Sequence, residues 1–200
     1  MELGEHPGHV LLLMAPSGSG KKSLVDSILA NHRDIYFAKT YTSRAIREGV
    51  EENPLYSFVS VETFKKMIAN DDFVEWAEYS GNYYGTPKAE IIDPLTHGKL
   101  VFKEMELQGV QQIRSIFPAE HVTVVYIDAG PWERLKERIV NRAPISAEEL
   151  EGRRLRYEKE SAYAQEADVI IKNHDGHLAE AIKNMEAVVN GLVKSTIRVK

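Results

Sequence analysis

The chain has 200 residues, a formal net charge of −5 and no cysteine, with 43% hydrophobic and 28% charged residues. This composition is typical of a soluble globular protein of one domain and excludes collagen-like, disordered and membrane-spanning classes. Without cysteine there is no disulfide framework, thiolate zinc site or cysteine nucleophile. The negative net charge predicts neither nucleic acid nor membrane as a partner, so an anionic ligand requires a local basic cluster.

The N-terminal part of the sequence predicts a strand followed by a helix. Residues 1–9 contain two glutamates and no basic stretch, which predicts no signal peptide and a cytoplasmic location. The short apolar run Val10–Met14 predicts a strand that is buried on both faces. A glycine-rich turn follows, and apolar residues then recur at helical spacing over about 21–31. This order is the opening of an α/β unit.

The rest of the chain alternates buried strands with helices. Strands are predicted at Leu100–Phe102, Val122–Ile127 and Val169–Ile171, and helices at about 108–117, 131–141, 147–165 and 178–193. The alternation predicts a parallel sheet that is covered by helices on both faces. Residues 35–84 instead combine many aromatics, strands of mixed polarity and one helix at 61–70. We interpret them as a small, partly antiparallel insertion.

The turn after the first strand has the composition of a phosphate-binding loop. Glycines allow the backbone to curl so that several N–H groups point at one anion. The helix N-terminus adds partial positive charge, and the lysine that opens the helix reaches the outer phosphates. The predicted phosphate-binding residues are Pro16, Ser17, Gly18, Ser19, Gly20, Lys21, Lys22 and Ser23.

Two positions of this loop depart from the usual P-loop pattern. Ala15 stands where the first glycine is usual, and Lys22 stands where a serine or threonine normally coordinates Mg²⁺. A protonated lysine cannot coordinate the metal, and Ser23 projects about 100° further round the helix. We therefore expect Mg²⁺, if it binds, to be held by other groups.

Several later segments resemble the guanylate kinase family, in the family's order. They are Thr42–Gly49, Tyr56–Ser60, Phe73–Thr86 and Glu104–Val110, within a resemblance that extends over about 9–189. The resemblance implies a P-loop NTPase core, a GMP-binding insertion and a helical lid, with Mg²⁺-dependent transfer of the γ-phosphoryl group of ATP to GMP or dGMP. The implied division is 1–34, 85–130 and 167–200 for the core, 35–84 for the insertion and 131–166 for the lid.

The resemblance also implies roles for acceptor-side residues. Arg44, Arg47, Tyr56 and Tyr84 match the clamp on the GMP phosphate, Glu75 and Thr86 match the guanine readers, and Glu104 and Glu106 match an acidic pair near the metal and the acceptor. Arginine suits a phosphate because its donors are planar and bidentate. One carboxylate can accept from guanine N1–H and N2–H, a donor pair that adenine lacks. We expect Glu104 and Glu106, two apart on a strand, to share one face.

Basic residues in the C-terminal half match the family's lid. Arg138 and Arg142 are four residues apart on one predicted helix face, and Arg154 follows. The resemblance implies that these three arginines act catalytically on the phosphates together with Lys21 and Arg44, and that Asn173 contacts adenine. Taken alone, the arginines are also compatible with an ordinary charged helix surface. Val50 stands where the family usually has glutamate.

Two other functions stay open on the sequence. Ribose 1,5-bisphosphate phosphokinases are similar to guanylate kinases and also tend to lack the hydroxyl residue after the P-loop lysine. Kinase-like domains of scaffold proteins bind protein partners and catalyse little, and their P-loops are degraded. In the leading interpretation the partners are ATP and GMP, and the protein is a monomer or a homodimer.

Overall fold

A computed structural model describes residues 8–46, 55–79 and 81–197. Nine strands form two sheets in this part of the chain. In chain order they are β1 (His9–Met14), β2 (Tyr36–Phe37), β3 (Thr40–Thr42), β4 (Tyr56–Phe58), β5 (Phe73–Tyr79), β6 (Asn82–Pro87), β7 (Leu100–Glu104), β8 (Val122–Asp128) and β9 (Val169–Lys172).

Seven α-helices accompany the strands in the described residues. They are α1 (Lys21–Asn31), α2 (Val61–Ala69), α3 (Ala89–Thr96), α4 (Leu107–Ile116), α5 (Trp132–Arg142), α6 (Ala147–Tyr163) and α7 (Leu178–Ile197). Short 3₁₀ turns lie at Ala119–His121 and Ala164–Glu166. Within the described part of the chain, no helix has the length and apolar character that crossing a membrane requires.

The first sheet is fully parallel, with strand order β2-β7-β1-β8-β9. Alternate residues of β1 point to opposite faces, as the two-residue period of a strand requires. Leu12 therefore joins a core cluster with α3 and α4, whereas Leu11 joins a second cluster with α1 and α7. Both leucines are fully buried. This arrangement confirms the predicted parallel sheet with helices on both faces.

The second sheet is smaller and mixed, with strand order β4-β3-β6-β5. β3 pairs in parallel with β4, while β6 pairs antiparallel with both β3 and β5. Helix α2 covers it, where Phe64 stacks on Phe73 with ring centroids 4.4 Å apart. The predicted small α+β insertion is thus present. Strand pairing places β2 in the first sheet, and β6 continues to Pro87.

Helix α3 was not predicted from the sequence. It is only eight residues long and contains Pro94, which lacks a backbone donor and disfavours a helix interior. Ile91 and Leu95 are nevertheless fully buried against the first sheet. The helix therefore depends on tertiary packing, which local propensity does not register.

Candidate active site

The phosphate-binding loop lies between β1 and α1, at the carboxyl edge of the parallel sheet. Gly18 and Gly20 have φ angles of +82° and +80°, a region that L-residues with a side chain rarely adopt. Gly20 is also the N-cap residue of α1. Ser19 is buried, and its hydroxyl has no hydrogen-bond partner among the described residues. The backbone thus has the curl and the helix N-terminus that the sequence predicts.

Three other elements hold this loop by hydrogen bonds. Asn173 Nδ2, after β9, donates to the carbonyl of Ser19 at 2.6 Å. Arg138 Nη1 on α5 donates to the carbonyl of Gly18 at 3.1 Å. Arg153 Nη1 on α6 donates to Ser17 Oγ at 3.0 Å. A Cβ at Gly20 would lie 2.7 Å from Asn173 Nδ2, so a side chain there would displace the asparagine from its hydrogen bond.

Within the loop, the carbonyl of Pro16 accepts a hydrogen bond from the backbone N–H of Ser19 at 3.2 Å. The lysine at the start of α1 faces the sheet edge, because Lys21 Nζ lies 3.4 Å from Glu104 Oε2 at the end of β7. Ligands of open α/β sheets bind at this edge. The lysine and the carboxylate predicted to meet phosphate and metal are therefore adjacent.

Lys22 points elsewhere. Its side chain is 81% exposed and forms an ion pair with Asp26, one turn along α1. Ser23 is exposed as well. The positive charge that replaces the usual hydroxyl is thus directed toward solvent, away from the contact between Lys21 and Glu104.

The two glutamates of the acidic pair do not share a strand face as expected. β7 ends at Glu104, whereas Glu106 has extended backbone and is the N-cap residue of α4. Glu106 Oε1 lies 3.5 Å from Arg156 Nη1 on α6. The strand ends earlier than the two-residue spacing assumed, so each carboxylate faces a different cation.

A buried glutamate that the sequence did not single out lies next to this pair. Glu160 on α6 is 6% exposed. Burial raises its pKa to about 7, and the negative charge of Glu106 adds to the increase, while Lys21 and Arg156 oppose it. Glu160 thus lies within electrostatic range of the P-loop lysine.

The candidate base-reading residues face each other across β5 and β6. Glu75 is paired with Thr86 in the antiparallel register, and Thr86 Oγ1 donates to Glu75 Oε1 at 2.7 Å. Burial raises the pKa of Glu75, while the hydrogen bond from Thr86 and the charge of Lys103 lower it. The start of α4 packs close by, since a Cβ at Gly109 would lie 3.2 Å from Glu75 Cγ. The structure therefore brings this predicted pair together in a partly dehydrated position.

The candidate phosphate clamp lies on β4, on β6 and just after the end of β3. The guanidinium of Arg44 lies over the ring of Phe58, 6.0 Å from its centroid. Arg44 Nε is buried and has no hydrogen-bond partner in the described part of the chain. Burial raises the pKa of the Tyr56 hydroxyl, Glu104 and Tyr84 add to the increase, and Arg44 opposes it. Arg44, Tyr56 and Tyr84 therefore share one electrostatic environment beside Glu104. The predicted clamp residue Arg47, and Val50 at the usual glutamate position, lie outside the described residues.

The predicted lid arginines occupy three different environments. Besides Gly18, Arg138 contacts the carboxylate of Asp175. Arg142 is exposed at the end of α5. Arg154 Nε donates to Glu158 at 3.0 Å on the exposed side of α6. Arg153, which was not predicted, reaches the loop from α6. The sequence alone does not show which of the adjacent arginines Arg153 and Arg154 faces the loop.

Lys103 is a further residue that the sequence analysis missed. It is 4% exposed, and its ammonium donates to Thr40 Oγ1 at 2.6 Å and to the carbonyl of Ala38 at 3.3 Å. Burial lowers its pKa to about 8, against the opposing charges of Glu75, Glu104 and Glu90. A lysine directly after the apolar run of a buried strand was the feature of the sequence that could have pointed to a buried charge.

The carboxylates near the loop have a donor set that suits a metal ion only in part. The described residues contain no group of three or more histidine, aspartate or glutamate side chains that could hold an ion by themselves. Glu104 and Glu106 are oxygen ligands of the kind that Mg²⁺ prefers, and Mg²⁺ usually keeps several waters and substrate phosphates. The two carboxylates therefore fit a Mg²⁺ ion that is held largely by phosphate oxygens and water.

Known proteins with similar sequences belong to one family. The family model described as guanylate kinase matches residues 8–191. Guanylate kinase from Pseudoalteromonas translucida is 38% identical over 182 residues, which cover 91% of this chain and 86% of that protein. The enzyme of the same name from Trichormus variabilis is 38% identical over 168 residues, covering 84% of this chain and 83% of that protein.

A solved structure agrees with these sequence matches. The crystal structure of guanylate kinase from Anaplasma phagocytophilum superposes with a TM-score of 0.67 and 25% sequence identity. The match covers 96% of this chain and 87% of that one. The phosphate loop, the carboxylate–threonine pair and these matches lead to one conclusion: the chain belongs to the guanylate kinase family.

Proposed function

We propose that the protein is a guanylate kinase, which transfers the γ-phosphoryl group of ATP to GMP and releases ADP and GDP. The observation that carries the proposal is the Glu75–Thr86 pair. A partly buried carboxylate, held by a threonine hydroxyl at 2.7 Å, is a reader of adjacent N–H donors. In GMP those donors are N1–H and N2–H of guanine, and adenine does not offer them.

On the donor side, the loop binds the ATP phosphates. The backbone N–H groups and the N-terminus of α1 supply positive potential, and Lys21 contacts the outer phosphates. Asn173 holds the loop by donating a hydrogen bond to the Ser19 carbonyl. We propose that Asn173 also contacts the adenine of ATP. Mg²⁺ bound with ATP would neutralise charge on the β- and γ-phosphates near Glu104.

On the acceptor side, Arg44, Tyr56 and Tyr84 bind the GMP phosphate, with Arg47 as an expected fourth member. Among the described residues the buried Arg44 Nε has no partner, and this supports the role, because an unpaired buried donor is unfavourable until an anion binds. The clamp aligns a phosphate oxygen of GMP with the γ-phosphorus of ATP. Glu75 and Thr86 meanwhile fix the base.

Transfer then requires positioning and electrostatic stabilisation. An oxygen of the GMP phosphate forms a bond to the γ-phosphorus, while the bond from that phosphorus to the β–γ bridging oxygen breaks, and ADP leaves. Lys21 and the two arginines that reach the loop, Arg138 and Arg153, offset the negative charge on the transferred group. For Arg138, this role requires exchange of Asp175 and the Gly18 carbonyl for phosphate oxygens. The catalytic roles of Arg142 and Arg154 stay predictions. No covalent intermediate with the protein is required.

The remaining predictions follow from this assignment. We propose that the second sheet with α2 forms the GMP-binding unit, that α5 and α6 form the lid, and that the parallel sheet forms the core. The Glu75–Thr86 pair disfavours ribose 1,5-bisphosphate as the acceptor, since a sugar phosphate has no base to read. The intact phosphate loop disfavours a binding module. The cytoplasmic location, the monomeric or dimeric state and the use of dGMP stay predictions.

A coupled assay of ADP release tests the proposal. ATP and Mg²⁺ are supplied with GMP, AMP, UMP or ribose 1,5-bisphosphate as acceptor. We expect rapid turnover with GMP and at most traces with the other three. Turnover with ribose 1,5-bisphosphate alone would transfer the assignment to that activity. GMP binding without turnover would favour a binding module.

A further inference from the structure

A charged side chain is buried where the two sheets meet. Lys103 is the penultimate residue of β7 and pairs with Leu12 of β1 in the parallel register. It is 4% exposed, while Leu100, Val101 and Phe102 before it form an apolar core. A buried ammonium is retained only when partners compensate its dehydration, so an apolar residue would satisfy the packing requirement of β7 at lower cost.

The hydrogen bonds of Lys103 reach the connection between the sheets. Ala38 follows β2, and its backbone N–H donates to the carbonyl of Phe102 at 3.0 Å, so it still belongs to the first sheet. Thr40 begins β3 and thus the second sheet. Lys103 Nζ donates to the Ala38 carbonyl at 3.3 Å and to Thr40 Oγ1 at 2.6 Å. The ammonium of Lys103 therefore connects the second sheet, at β3, to the end of β7.

The same ammonium is electrostatically coupled to the candidate base reader. Glu75 is partly buried, and Lys103 is one of the groups that offset the resulting increase in its pKa. In return, Glu75 is the first of three carboxylates that offset the dehydration of Lys103, followed by Glu104 and Glu90. The charge of Lys103 on β7 thus acts on Glu75 of β5, which accepts a hydrogen bond from Thr86 of β6.

We infer that Lys103 is a positioning residue for the acceptor: through its hydrogen bonds to Ala38 and Thr40, its buried ammonium fixes β3, and with it the sheet that carries Glu75 and Thr86, against the end of β7. This inference rests on the proposed function, because it assigns Lys103 to GMP and not to ATP. Without these hydrogen bonds, β3 loses its attachment to β7, and the Glu75 carboxylate is no longer fixed in one place for the N–H donors of guanine. The phosphate loop has its own hydrogen bonds from Asn173, Arg138 and Arg153, so we expect the donor side to depend on Lys103 much less than the acceptor side does.

Three substitutions separate the charge from the hydrogen bonds. Lys103→Met removes both, Lys103→Gln keeps a donor without charge, and Lys103→Arg keeps charge and donors. Lys99→Met, at an exposed lysine just before β7, is the matched control. The steady-state KM for GMP at saturating ATP, the KM for ATP at saturating GMP and the melting temperature are measured for each variant.

We expect Lys103→Met and Lys103→Gln to raise the KM for GMP at least tenfold, with the KM for ATP within about twofold of wild type and with Lys103→Arg restoring much of the loss. The control should leave both KM values unchanged. Equal increases in both KM values, or an unchanged KM for GMP in Lys103→Gln, would overturn the inference. If Lys103→Met does not fold, Lys103→Gln and Lys103→Arg decide the question. Lack of GMP turnover in the wild-type protein would instead overturn the proposed function, and the inference with it.

Discussion

The donor and acceptor sides of the site are stabilised in different ways. On the donor side, Asn173, Arg138 and Arg153 donate hydrogen bonds to backbone and side-chain oxygens of the phosphate loop. On the acceptor side, by contrast, a charged donor, Arg44 Nε, is buried without a partner among the described residues. Glu75 has a raised pKa because it is partly buried. The donor loop is therefore held in place by the chain itself. The acceptor side instead contains buried charged groups, and a bound nucleotide would offset the cost of their dehydration.

This difference predicts where substitutions separate the two substrates. A change on the acceptor side should alter the use of GMP and leave ATP binding intact, because the loop does not depend on it. A change at the loop's supports should alter the transfer step or the use of ATP.

The largest expected effect is that of Glu75→Gln. An amide presents one donor and one acceptor to guanine, where the carboxylate presents two acceptors, and it leaves one N–H of the base opposed by an N–H of the protein. We expect kcat/KM for GMP to fall about 10³-fold or more, with the Kd for ATP unchanged. Steady-state kinetics and ATP titration measure the two effects. Glu78→Gln, at an exposed position of the same strand, is the control and should be neutral.

The second prediction distinguishes two adjacent arginines of α6. Arg153 bonds to Ser17 of the loop, whereas Arg154 bonds to Glu158 on the exposed side. We expect Arg153→Ala to lower kcat about 100-fold, as removal of one preorganised donor does in other enzymes. Arg154→Ala should lower it less than about fivefold, because exposed ion pairs contribute little. A larger loss in Arg154→Ala would show that α6 turns its other face to the phosphates when the lid closes.

These two arginines also show how far sequence reasoning extends. The loop was predictable because its residues are contiguous and lie between a strand and a helix, so local rules suffice. Arg153 and Arg154 differ by only one step of about 100° on the helix, and only packing of α6 decides which one faces Ser17. Glu104 and Glu106 were misread for a related reason, since their expected shared face depended on where β7 ends.

Helix α3 and Lys103 are the clearest cases of tertiary context overriding a local signal. Pro94 argues against a helix, yet the buried Ile91 and Leu95 stabilise one. Lys103 interrupts an apolar strand, and its partners at Ala38 and Thr40 are more than sixty residues away in sequence. A pattern of neighbours along the chain cannot reveal a partner at that distance.

The third prediction concerns stability and pH at the boundary of the two sides. Burial raises the pKa of Glu160 from 4.5 to about 7. The folded chain therefore binds more protons than the unfolded chain between these pH values, and this carboxyl lowers stability as pH rises through that range. Glu160→Gln should stabilise the fold at pH 8 by an amount on the order of 3 kcal/mol, from 1.36 kcal/mol per pKa unit, and by little at pH 4.5.

Denaturant unfolding at several pH values measures this effect. His9 provides an internal contrast, because burial lowers its pKa from 6.5 to about 4. The unfolded chain binds more protons in that window, so His9 makes stability rise with pH. His9→Gln should flatten the rise between pH 4 and 6.5 and leave the difference at pH 8 small. An identical pH dependence in wild type and Glu160→Gln would contradict the prediction.

The smallest effect is expected at the position where the loop departs most from its pattern. Lys22 is 81% exposed and paired with Asp26, so its charge is directed away from Lys21 and Glu104. We expect Lys22→Ser to change kcat/KM for GMP, and the Mg²⁺ concentration for half-maximal activity, by no more than about threefold, because an exposed ion pair contributes little. Lys22→Ala is the matched control, which removes the charge without adding a hydroxyl. A large gain in Mg²⁺ affinity in Lys22→Ser alone would mean that the metal site lacks a ligand that Glu104 and the phosphates do not replace, and the donor side would then be less complete than its hydrogen bonds indicate.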